Sequence, residues 1–530
     1  MIDKDITIDS LAEAISGEII GADEFRSLNG FTGIFNILKD STEGDIVIRH
    51  WIDEKGIKIA STKNVACIIT EDPRGNSIDI ATDLKIPLIV VEKIEEANAI
   101  ALNWTIKNFT PNSKRIVISG TNGKSTTAHM IYHILKSSGA NAFTNTDSKS
   151  EFNTLIDPMV PKLISEHILS HKKELEYLVI EASEVQGWLG KLMNDHAFLM
   201  TKSVNPDTAV ITNVAIDHIG LVNSIEEVFH ETSGLPRAME KGVLVLNNDD
   251  EKVVKMADLT NEDVDIFYFS MNSCNDLKKS NKGIHNNNCL NYDTKSESIV
   301  YKSKHILTID ELPFSSDHFI QNTLAAISAC LSLGIEIEDI VNGVKSYKSL
   351  KRRFRKINQS PLIIDDFAHN PEGIKATINA VSKLSNGNLK ILCAIRGSRG
   401  KELNKINAEA LAEVIFSLNQ KDSENLNKDE VKNKDEVKNK KETKNKIELI
   451  LSSSEDVVDE ANFVEEFEEK IFFDVLNREN IKYIHYKNLY DALYNIYTSS
   501  NVNDIILLIG AQGMDPAEEI LKNITDENPF

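Results

Sequence analysis

The sequence lacks clustered cysteines, long apolar runs and an excess of basic charge, and each absence excludes a class of protein. Its five cysteines lie far apart without a CxxC pair, so we expect reduced thiols and no zinc site. No apolar run approaches the roughly 20 residues that span a bilayer, and no signal peptide is expected. The net charge of -22 argues against a nucleic-acid scaffold, which needs clustered Lys and Arg. We therefore expect an acidic, soluble, cytoplasmic protein whose partners include neither nucleic acid nor membrane.

Apolar strands alternate with helical stretches along most of the chain, which is the pattern of an α/β protein. The length of 530 residues suggests about three domains. We predict an N-terminal domain at 1–112, a central domain at 113–350 and a C-terminal Rossmann-like domain at 351–530. The predicted strands lie at 45–49, 66–70, 86–91, 115–120, 177–183, 208–213, 243–247, 361–367, 390–395, 447–453 and 504–510.

One segment of the third domain has low complexity. The sequence "NKDEVK" occurs at 427–432 and again at 433–438. Charged repeats of this kind offer little apolar surface to bury. We therefore predict that 421–446 is a disordered or marginally helical surface insertion without a direct role in function.

The stretch "VISGTNGKSTTAHM", from Val117 to Met130, reads as a strand, a glycine turn and the start of a helix. It has the parts of a phosphate loop, although the usual G-x-x-x-x-G-K-[ST] spacing would need glycine where Ile118 stands. Such a turn points backbone N–H groups into one concavity at a helix N-terminus, where an anion is stabilised. Lys124 would then reach the outer phosphates and Ser125 would coordinate Mg2+. The candidate nucleotide contacts are Gly120, Thr121, Asn122, Gly123, Lys124, Ser125 and Thr126. A glycine turn with a surface lysine is the structural alternative.

Polar side chains also follow two neighbouring strands. Glu181 lies at the end of the strand at 177–183, and Asp217 and His218 follow the strand at 208–213. The carboxyl edge of a parallel α/β sheet is where such sheets bind ligands. A carboxylate and an imidazole near a phosphate loop are suitable ligands for a second divalent cation. A capping acid and an ordinary loop histidine are the structural alternatives for Glu181 and His218.

Seven motifs occur in an order that resembles one family. They are "GTNGKST" (120–126), "EAS" (181–183), "TNVAIDH" (212–218), "LNNDD" (246–250), "HFIQNTLAAISA" (318–329), "KRRF" (351–354) and "DDFAHNP" (365–371). With these motifs the chain resembles the Mur ligases, the ATP-dependent amide-forming enzymes that build cell-wall peptides, and it is also similar to folylpolyglutamate synthases. The resemblance implies the three-domain Mur ligase architecture, with a central P-loop ATPase domain and ATP between the second and third domains.

The resemblance also implies a mechanism and site residues. ATP would phosphorylate a substrate carboxylate, and an incoming amine would attack the acyl phosphate, so that ADP and phosphate leave. Lys124 would contact the β and γ phosphates, Ser125 and Glu181 would hold one Mg2+, and His218 would help to hold a second. The other residues that the resemblance assigns are Asn153 at the γ-phosphate, Asn322 at the adenine, Arg353 and Asp366 at the nucleotide and its ribose, and His369 and Asn370 in the same closing interface.

Three departures from the family pattern concern the second metal and the amino acid that is added. Many murein ligases carry a carbamylated lysine in the helix after the D-H motif, yet no lysine occurs near Thr232, where Glu231 is the substitute that we consider. The D-N-P-R motif of ligases that add diaminopimelate is replaced by "LSSSED" at 451–456. The late G-K-G-H-E segment is replaced by "GAQGMD" at 510–515.

These departures in a MurE-like chain favour an archaeal pseudomurein peptide ligase that extends a UDP-linked peptide by one amino acid. Arg396 and Arg399 are candidates to grip substrate carboxylates, since planar guanidinium suits that task. By resemblance, Asp40, Ser41 and Thr42 would lie near the uridine; surface loops and turns are the structural alternatives. We expect the protein to act as a monomer.

Two alternatives remain open. The acceptor could be another carboxylate: a folate-type or poly-γ-glutamate chain, or a tetrapyrrole propionate in a methanogen cofactor pathway. The separate region at 1–110 counts against a folate acceptor, and an aromatic content of 6% counts against a tetrapyrrole groove. The protein could instead be a nucleotide-binding partner protein without turnover, which the missing lysine would favour.

Overall fold

The computed structural model describes residues 7–20, 31–146, 153–217, 220–272, 288–384, 387–432 and 446–527, with the backbone alone at 421–432 and 527. The chain divides into two compact units, Met1–Lys348 and Ser349–Phe530. Each unit contains parallel sheets covered by helices, so the predicted α/β class is confirmed. The division falls two residues before the predicted boundary at 350, whereas the boundary at 112 lies within the first unit and stays a prediction.

A five-stranded sheet opens the first unit, in the order β1-β5-β4-β3-β2. Its first strand is antiparallel to its neighbour and the other four strands are parallel. The strands are β1 (Glu18–Ile20), β2 (Phe35–Asn36), β3 (Ile46–Ile52), β4 (Cys67–Pro73) and β5 (Leu88–Val90). The helices are α1 (Ile8–Ala14), α2 (Glu54–Thr62), α3 (Ser77–Asp83) and α4 (Ile94–Phe109). Helices α1 and α4 pack on one face and α2 and α3 on the other, so both faces are buried.

The second sheet of this unit has nine strands, in the order β16-β15-β14-β13-β12-β11-β6-β8-β7. The pairs from β7 to β14 are parallel, and β15 and β16 add an antiparallel edge. The strands are β6 (Lys114–Ser119), β7 (Ala142–Thr144), β8 (Tyr177–Glu181), β11 (Thr208–Ile211), β12 (Gly242–Asn247), β13 (Val264–Ser270), β14 (Cys289–Asp293), β15 (Ser298–Tyr301) and β16 (Lys304–Thr308). A separate hairpin consists of β9 (Gly187–Trp188) and β10 (Lys191–Leu192).

Helices cover both faces of this sheet. They are α5 (Lys124–Ser137), α6 (Met159–His171), α7 (His196–Val204), α8 (Ile225–Thr232), α9 (Gly234–Ala238), α10 (Glu251–Lys255), α11 (Asp317–Ser332) and α12 (Ile337–Lys345). The predicted apolar face of α5, formed by Ile131, Ile134 and Leu135, is fully buried against the sheet and α11. Burial of this face holds α5 against the sheet, and its first turn follows the carboxyl end of β6.

The second unit has a six-stranded sheet in the order β17-β18-β22-β19-β20-β21, parallel except for β17. Helices between the parallel strands make it the predicted Rossmann-like domain. The strands are β17 (Arg355–Gln359), β18 (Leu362–Asp366), β19 (Leu389–Ala394), β20 (Ile447–Ser452), β21 (Tyr483–Tyr486) and β22 (Ile505–Ile509). The helices are α13 (Pro371–Ser382), α14 (Gly400–Lys432), α15 (Glu466–Arg478), α16 (Leu489–Thr498) and α17 (Ala517–Glu527).

The structure also bears on three other expectations, which concern the insertion, the cysteines and membrane-spanning helices. Helix α14 includes residues 421–432 of the predicted insertion, and residues 433–445 lie outside the described part of the chain. Cys67, Cys330 and Cys393 are buried free thiols, but Cys289 is disulfide-bonded, so the expectation of reduced thiols is wrong for Cys289. No helix within the described ranges is long and apolar enough to cross a membrane.

Candidate nucleotide-binding site

The phosphate loop connects β6 to α5 and depends on two glycines. Gly120 has φ +123° and Gly123 has φ +86°, values that side-chain-bearing residues rarely adopt. A Cβ atom at Gly120 would lie 2.3 Å from Thr212 Oγ1, and one at Gly123 would lie 2.2 Å from Asn322 Oδ1. The structure therefore places the predicted residue Asn322, on α11, directly against the loop.

Residues that follow β11 hold the loop in shape. The backbone N–H groups of Thr121 and Asn122 donate to the Asn213 carbonyl oxygen and to Asn213 Oδ1, at 3.0 and 2.9 Å. Asn213 Nδ2 donates back to the Asn122 carbonyl oxygen at 2.9 Å. The first N–H groups of α5, at residues 124 to 126, have no partner within the helix and carry its positive dipole end. The arrangement has the geometry of an anion cradle, and its role in binding a nucleotide stays a prediction.

Glu181 brings a carboxylate to the same edge. It ends β8, which pairs with β6 so that Glu181 lies opposite Ile118, two residues before Gly120. Its Oε1 accepts hydrogen bonds from Ser125 Oγ at 3.0 Å and from Asn153 Nδ2 at 3.2 Å. Three predicted residues thus meet at one buried carboxylate oxygen. Mg2+ prefers oxygen ligands and keeps several of them from water or phosphate, so Ser125 and Glu181 fit this cation.

The ammonium group of Lys124 is hydrogen-bonded to other groups of the protein. Its Nζ donates to the carbonyl oxygens of Gly120 and Thr121, at 2.6 and 3.0 Å. It also forms a 2.8 Å ion pair with Glu184 Oε2. The side chains of Lys124 and Glu184 are 14% and 1% exposed, so this ion pair is shielded from water. Sequence reasoning missed Glu184, although it lies three residues after Glu181 in the same strand-end turn.

His196 is a second residue of this region that sequence reasoning missed. It is fully buried, its Nδ1 donates to the Ser183 carbonyl oxygen at 2.8 Å, and its Nε2 accepts from the Leu155 N–H at 3.1 Å. Burial lowers the pKa of His196 to about 4, so the ring is neutral near pH 7. The Ser183 N–H also donates to the Asn153 carbonyl oxygen at 3.1 Å. His196 therefore ties the segment that carries Asn153 to the turn that follows Glu181.

The predicted second-metal ligands are only partly within the described residues. His218 lies outside them, whereas Asp217 is described and buried. Glu231 is buried on α8, and its Oε2 accepts a 2.8 Å hydrogen bond from the Asp195 N–H at the start of α7. Burial raises the pKa of Glu231. This contact is structural, and the substitution of Glu231 for the missing lysine near Thr232 stays a prediction.

The predicted uridine contacts lie in the loop after β2. Ser41 is buried and its Oγ donates to the Leu38 carbonyl oxygen at 3.0 Å, so its hydroxyl is used within the loop. Thr42 and Asp40 are exposed. Asp40 Oδ2 lies 3.4 Å from the Nζ of Lys162 on α6, which is 9% exposed. This turn therefore contacts the helix that follows Asn153.

In the second unit, the "KRRF" motif places its two arginines differently. Arg352 is 1% exposed and forms a buried ion pair with Asp365, while its guanidinium also donates to two backbone carbonyls. The predicted residue Arg353 is half-buried, and its guanidinium lies 4.9 Å from the centre of the Phe367 ring. Arg353 Nε has no hydrogen-bond partner within the described part of the chain. Arg352 is therefore structural, and Arg353 is the arginine of the motif with an unpaired donor.

Three other predicted residues of this unit lie at the end of β18. Asp366 accepts hydrogen bonds from two backbone N–H groups, both at 3.0 Å, and from the Thr377 hydroxyl. His369 Nδ1 donates to the Phe367 carbonyl oxygen at 2.8 Å. Asn370 Oδ1 caps α13 by accepting from the Gly373 N–H at 2.8 Å. Each of these contacts is local, and the roles of the three residues at a nucleotide stay predictions.

The loop that carries Arg396 and Arg399 contains a carboxylate of the protein itself. The buried side chain of Glu468 accepts hydrogen bonds from the N–H groups of Ser398, Arg399 and Gly400, at 3.0, 2.9 and 2.7 Å. These groups form the start of α14, where an anion is favoured. Arg396 is half-buried and Arg399 is exposed, and their role in gripping a substrate carboxylate stays a prediction.

Comparisons with known proteins identify the two larger regions. Residues 118–330 match the model of the Mur ligase middle domain, and residues 352–512 match that of the Mur ligase glutamate ligase domain. A UDP-N-acetylmuramate--L-alanine ligase of Clostridium acetobutylicum is 29% identical over 289 residues, which are 53% of this chain and 54% of that protein. The chain thus spans about half the length of the curated relatives that it matches.

Two solved structures share the fold over most of the chain. MurF from Acinetobacter baumannii has a TM-score of 0.65 and 18% identity, covering 98% of each chain. A pseudomurein peptide ligase type C from Methanothermus fervidus has a TM-score of 0.53 and 18% identity, covering 90% of this chain and 99% of its own. The chain therefore contains the middle and C-terminal domains of the Mur ligases, and the family resemblance is confirmed, whereas a specifically MurE-like or archaeal type stays a prediction.

Proposed function

We propose that this chain, which carries the middle and C-terminal domains of a Mur ligase, is an ATP-dependent amide ligase of cell-wall precursor synthesis. It joins an amino acid to a carboxylate of a UDP-linked acceptor and releases ADP and phosphate. The acceptor carboxylate is first converted to an acyl phosphate, which the incoming amine then attacks. We propose that the protein acts in the cytoplasm.

The observation that carries this proposal is the meeting of Ser125, Asn153 and Glu181 beside the cradle that Lys124 closes. A phosphate loop alone would fit any nucleotide-binding protein. A buried carboxylate that contacts both the loop hydroxyl and an amide from a separate segment adds a place for a divalent cation. Such a cation neutralises charge on a transferring phosphoryl group, which is the main requirement of this chemistry. This arrangement favours turnover over a binding-only role.

The residues of the chain have separate tasks in this reaction. The N–H groups of residues 124 to 126 and the Lys124 ammonium bind the phosphates, and Ser125 and Glu181 hold Mg2+ when it is bound. Asn153 presents its amide beside Glu181, where the transferring group would lie. Binding orients the acceptor carboxylate and the phosphate within reach of each other, which converts an encounter between two molecules into a step within one complex. In the second unit, Arg353 has an Nε donor without a hydrogen-bond partner among the described residues, and the family resemblance proposes this arginine as a nucleotide contact.

Within this activity we propose a pseudomurein-type acceptor, a UDP-linked peptide that receives one amino acid. The replacement of the D-N-P-R motif by "LSSSED" supports this choice, because it removes the arginine that would grip the second carboxylate of diaminopimelate. At the end of β20, Ser453 contacts Glu469 and His485 rather than presenting a cation. A neutral or basic amino acid suits such a position better than a dicarboxylic one.

A second candidate reaction has a specific observation in its favour. The sequence relatives of 29–30% identity are UDP-N-acetylmuramate--L-alanine ligases. The same chemistry on this chain would join L-alanine to the carboxylate of UDP-N-acetylmuramate. It differs from the first candidate in the acceptor, which carries no peptide.

The test is ADP release by the purified protein with ATP, Mg2+ and an acceptor, screened against single amino acids. A UDP-linked glutamyl peptide is tried with lysine and alanine first, and UDP-N-acetylmuramate is tried with L-alanine. Release that needs both acceptor and amino acid, with the matching mass gain on the acceptor, establishes the reaction and names its substrates. Release with neither acceptor, despite ATP binding, contradicts both candidates and points to another carboxylate acceptor or to a binding-only protein.

Two lysines of one helix provide a matched pair of variants. Lys124→Ala removes the ammonium from the cradle and should abolish ADP release, whereas Lys136→Ala changes an exposed lysine in the last turn of α5 and should not. Both variants should unfold at the temperature of the wild type to within a few degrees. Turnover that survives in folded Lys124→Ala would refute the assignment of this loop as the nucleotide site.

A further inference from the structure

We propose that Glu184 makes nucleotide binding depend on the divalent cation, by pairing with Lys124 so that the cradle does not accept ATP without its metal. The inference rests on the proposed function, since it assumes that the loop binds ATP. It assigns a positioning and selectivity role to Glu184, which acts on the nucleotide through Lys124.

The contacts of Lys124 are the first argument. An ammonium group has three protons, and Nζ donates to three acceptors: the carbonyl oxygens of Gly120 and Thr121 and the carboxylate of Glu184. Its hydrogen-bonding capacity is therefore filled and its charge is cancelled before any nucleotide arrives. The protein does not offer a free cation to the phosphates, as a phosphate loop with a solvated lysine would.

The burial of Glu184 is the second argument. Its side chain is 1% exposed, and within the described residues its Oε1 has no hydrogen-bond partner while Oε2 binds Lys124. Lys124 is the basic side chain that forms an ion pair with it there. A buried charge that loses its partner costs far more than an exposed one. If Lys124 moved wholly to a phosphate, Glu184 would be left as an uncompensated buried anion, so the ammonium must stay shared or another cation must arrive.

The charge balance of the site completes the argument. Two carboxylates, Glu181 and Glu184, follow one another at the end of β8 and are both buried, and Lys124 alone offsets them in the described cradle. ATP brings several more negative charges to the same place. A low-dielectric site strengthens the repulsion between like charges. One divalent cation at Ser125 and Glu181 reverses this balance, and Lys124 can then be shared between Glu184 and the phosphates.

The experiment measures ATP binding by isothermal titration calorimetry, with Mg2+ and with a chelator in its place, for the wild type, Glu184→Gln and Glu184→Asp. Glutamine keeps the shape and one acceptor but removes the charge, and aspartate keeps the charge. We expect the wild type to bind ATP at least about a hundredfold more tightly with Mg2+ than without it. Glu184→Gln should gain at least about tenfold in affinity for metal-free ATP, equal to ~1.4 kcal/mol, with affinity for the magnesium form changed by less than about threefold. Glu184→Asp should keep the preference of the wild type.

The possible outcomes distinguish the role of Glu184 from the proposed function. A residue with a merely structural role would weaken both forms of binding on substitution, so equal or lower metal-free affinity in folded Glu184→Gln overturns the inference. Equal affinity of the wild type for metal-free ATP and for ATP with Mg2+ also overturns the inference. This result needs no variant, so the inference can be tested even if a substituted protein does not fold. Absence of ATP binding by the folded wild type under both conditions refutes the proposed function itself. ATP binding with no gain in Glu184→Gln refutes only the role of Glu184.

Discussion

Acid should weaken the first unit through His196. The folded protein keeps this ring neutral, with a pKa of about 4, because it is buried between the Ser183 carbonyl and the Leu155 N–H. In the unfolded chain the same ring takes up a proton near pH 6.5. Between these two pKa values the ring is protonated in the unfolded state but not in the folded state, so the free energy of unfolding falls as the pH falls. Above about pH 6.5 the group has no effect.

The magnitude follows from the two pKa values. A shift of one pKa unit corresponds to ~1.4 kcal/mol, and the linkage between about pH 7 and pH 5 amounts to roughly 2 kcal/mol of unfolding free energy. His196→Gln keeps a donor and an acceptor at this position but does not titrate. Between pH 7 and pH 5, the unfolding free energy of the variant should therefore fall by about 2 kcal/mol less than that of the wild type.

The assay is urea unfolding followed by tryptophan fluorescence. The three tryptophans, Trp51, Trp104 and Trp188, all belong to the first unit, so their emission reports that unit alone. His305→Gln, which changes an exposed histidine on β16, is the matched control and should keep the pH dependence of the wild type. The same acid-induced loss in His196→Gln and the wild type would refute the reasoning.

Three further predictions concern other contacts. Arg352→Met should destabilise the second unit by about 3–5 kcal/mol because it leaves Asp365 buried without its cation, whereas Arg353→Met should not; equal losses by circular dichroism would contradict this. Gly123→Ala should weaken ATP binding at least about tenfold by calorimetry, because its Cβ would meet Asn322 Oδ1 at 2.2 Å. Gly139→Ala has a similar φ, +90°, with no atom within 4 Å, and unaltered binding is expected there; equal losses would implicate backbone conformation alone. Deleting 425–446 should leave ADP release within about twofold, and a folded but inactive product would show that this segment has a role.

Strands and the phosphate loop were accessible from sequence because each has a local cause. Continuous apolar runs such as 504–510 and 115–120 correspond to β22 and β6, since a strand buried on both faces needs apolar residues at every position. We did not predict the strand β13, "VDIFYFS", although it contains the apolar run "IFYF" at 266–269. The three-residue strand β7 is too short to leave a periodic signal.

The candidate site was only partly predictable, because its remaining features depend on distant partners. Arg352 and Arg353 are adjacent in one motif, yet the φ of +62° at Arg352 turns the chain so that only this arginine is buried on Asp365. The role of Glu184 depends on where the ammonium of Lys124 lies, sixty residues earlier in the sequence. No local pattern distinguishes such an ion pair from two ordinary surface charges. The family resemblance supplied Glu181, but it ended one residue before Glu184.

The contact between Gly123 and Asn322 has a consequence for how the site is formed during synthesis. The phosphate loop is in contact with Glu184, Asn213 and Asn322, which follow it by about sixty, ninety and two hundred residues. Contacts this distant in sequence form slowly, because the chain between them must first be ordered. A nascent chain whose α11 segment has not yet left the ribosome therefore contains the whole loop motif, but it lacks Asn322, which contacts the loop in the folded protein. Nucleotide affinity is in this way a late product of folding, and a growing chain gains it only after most of the first unit is in place.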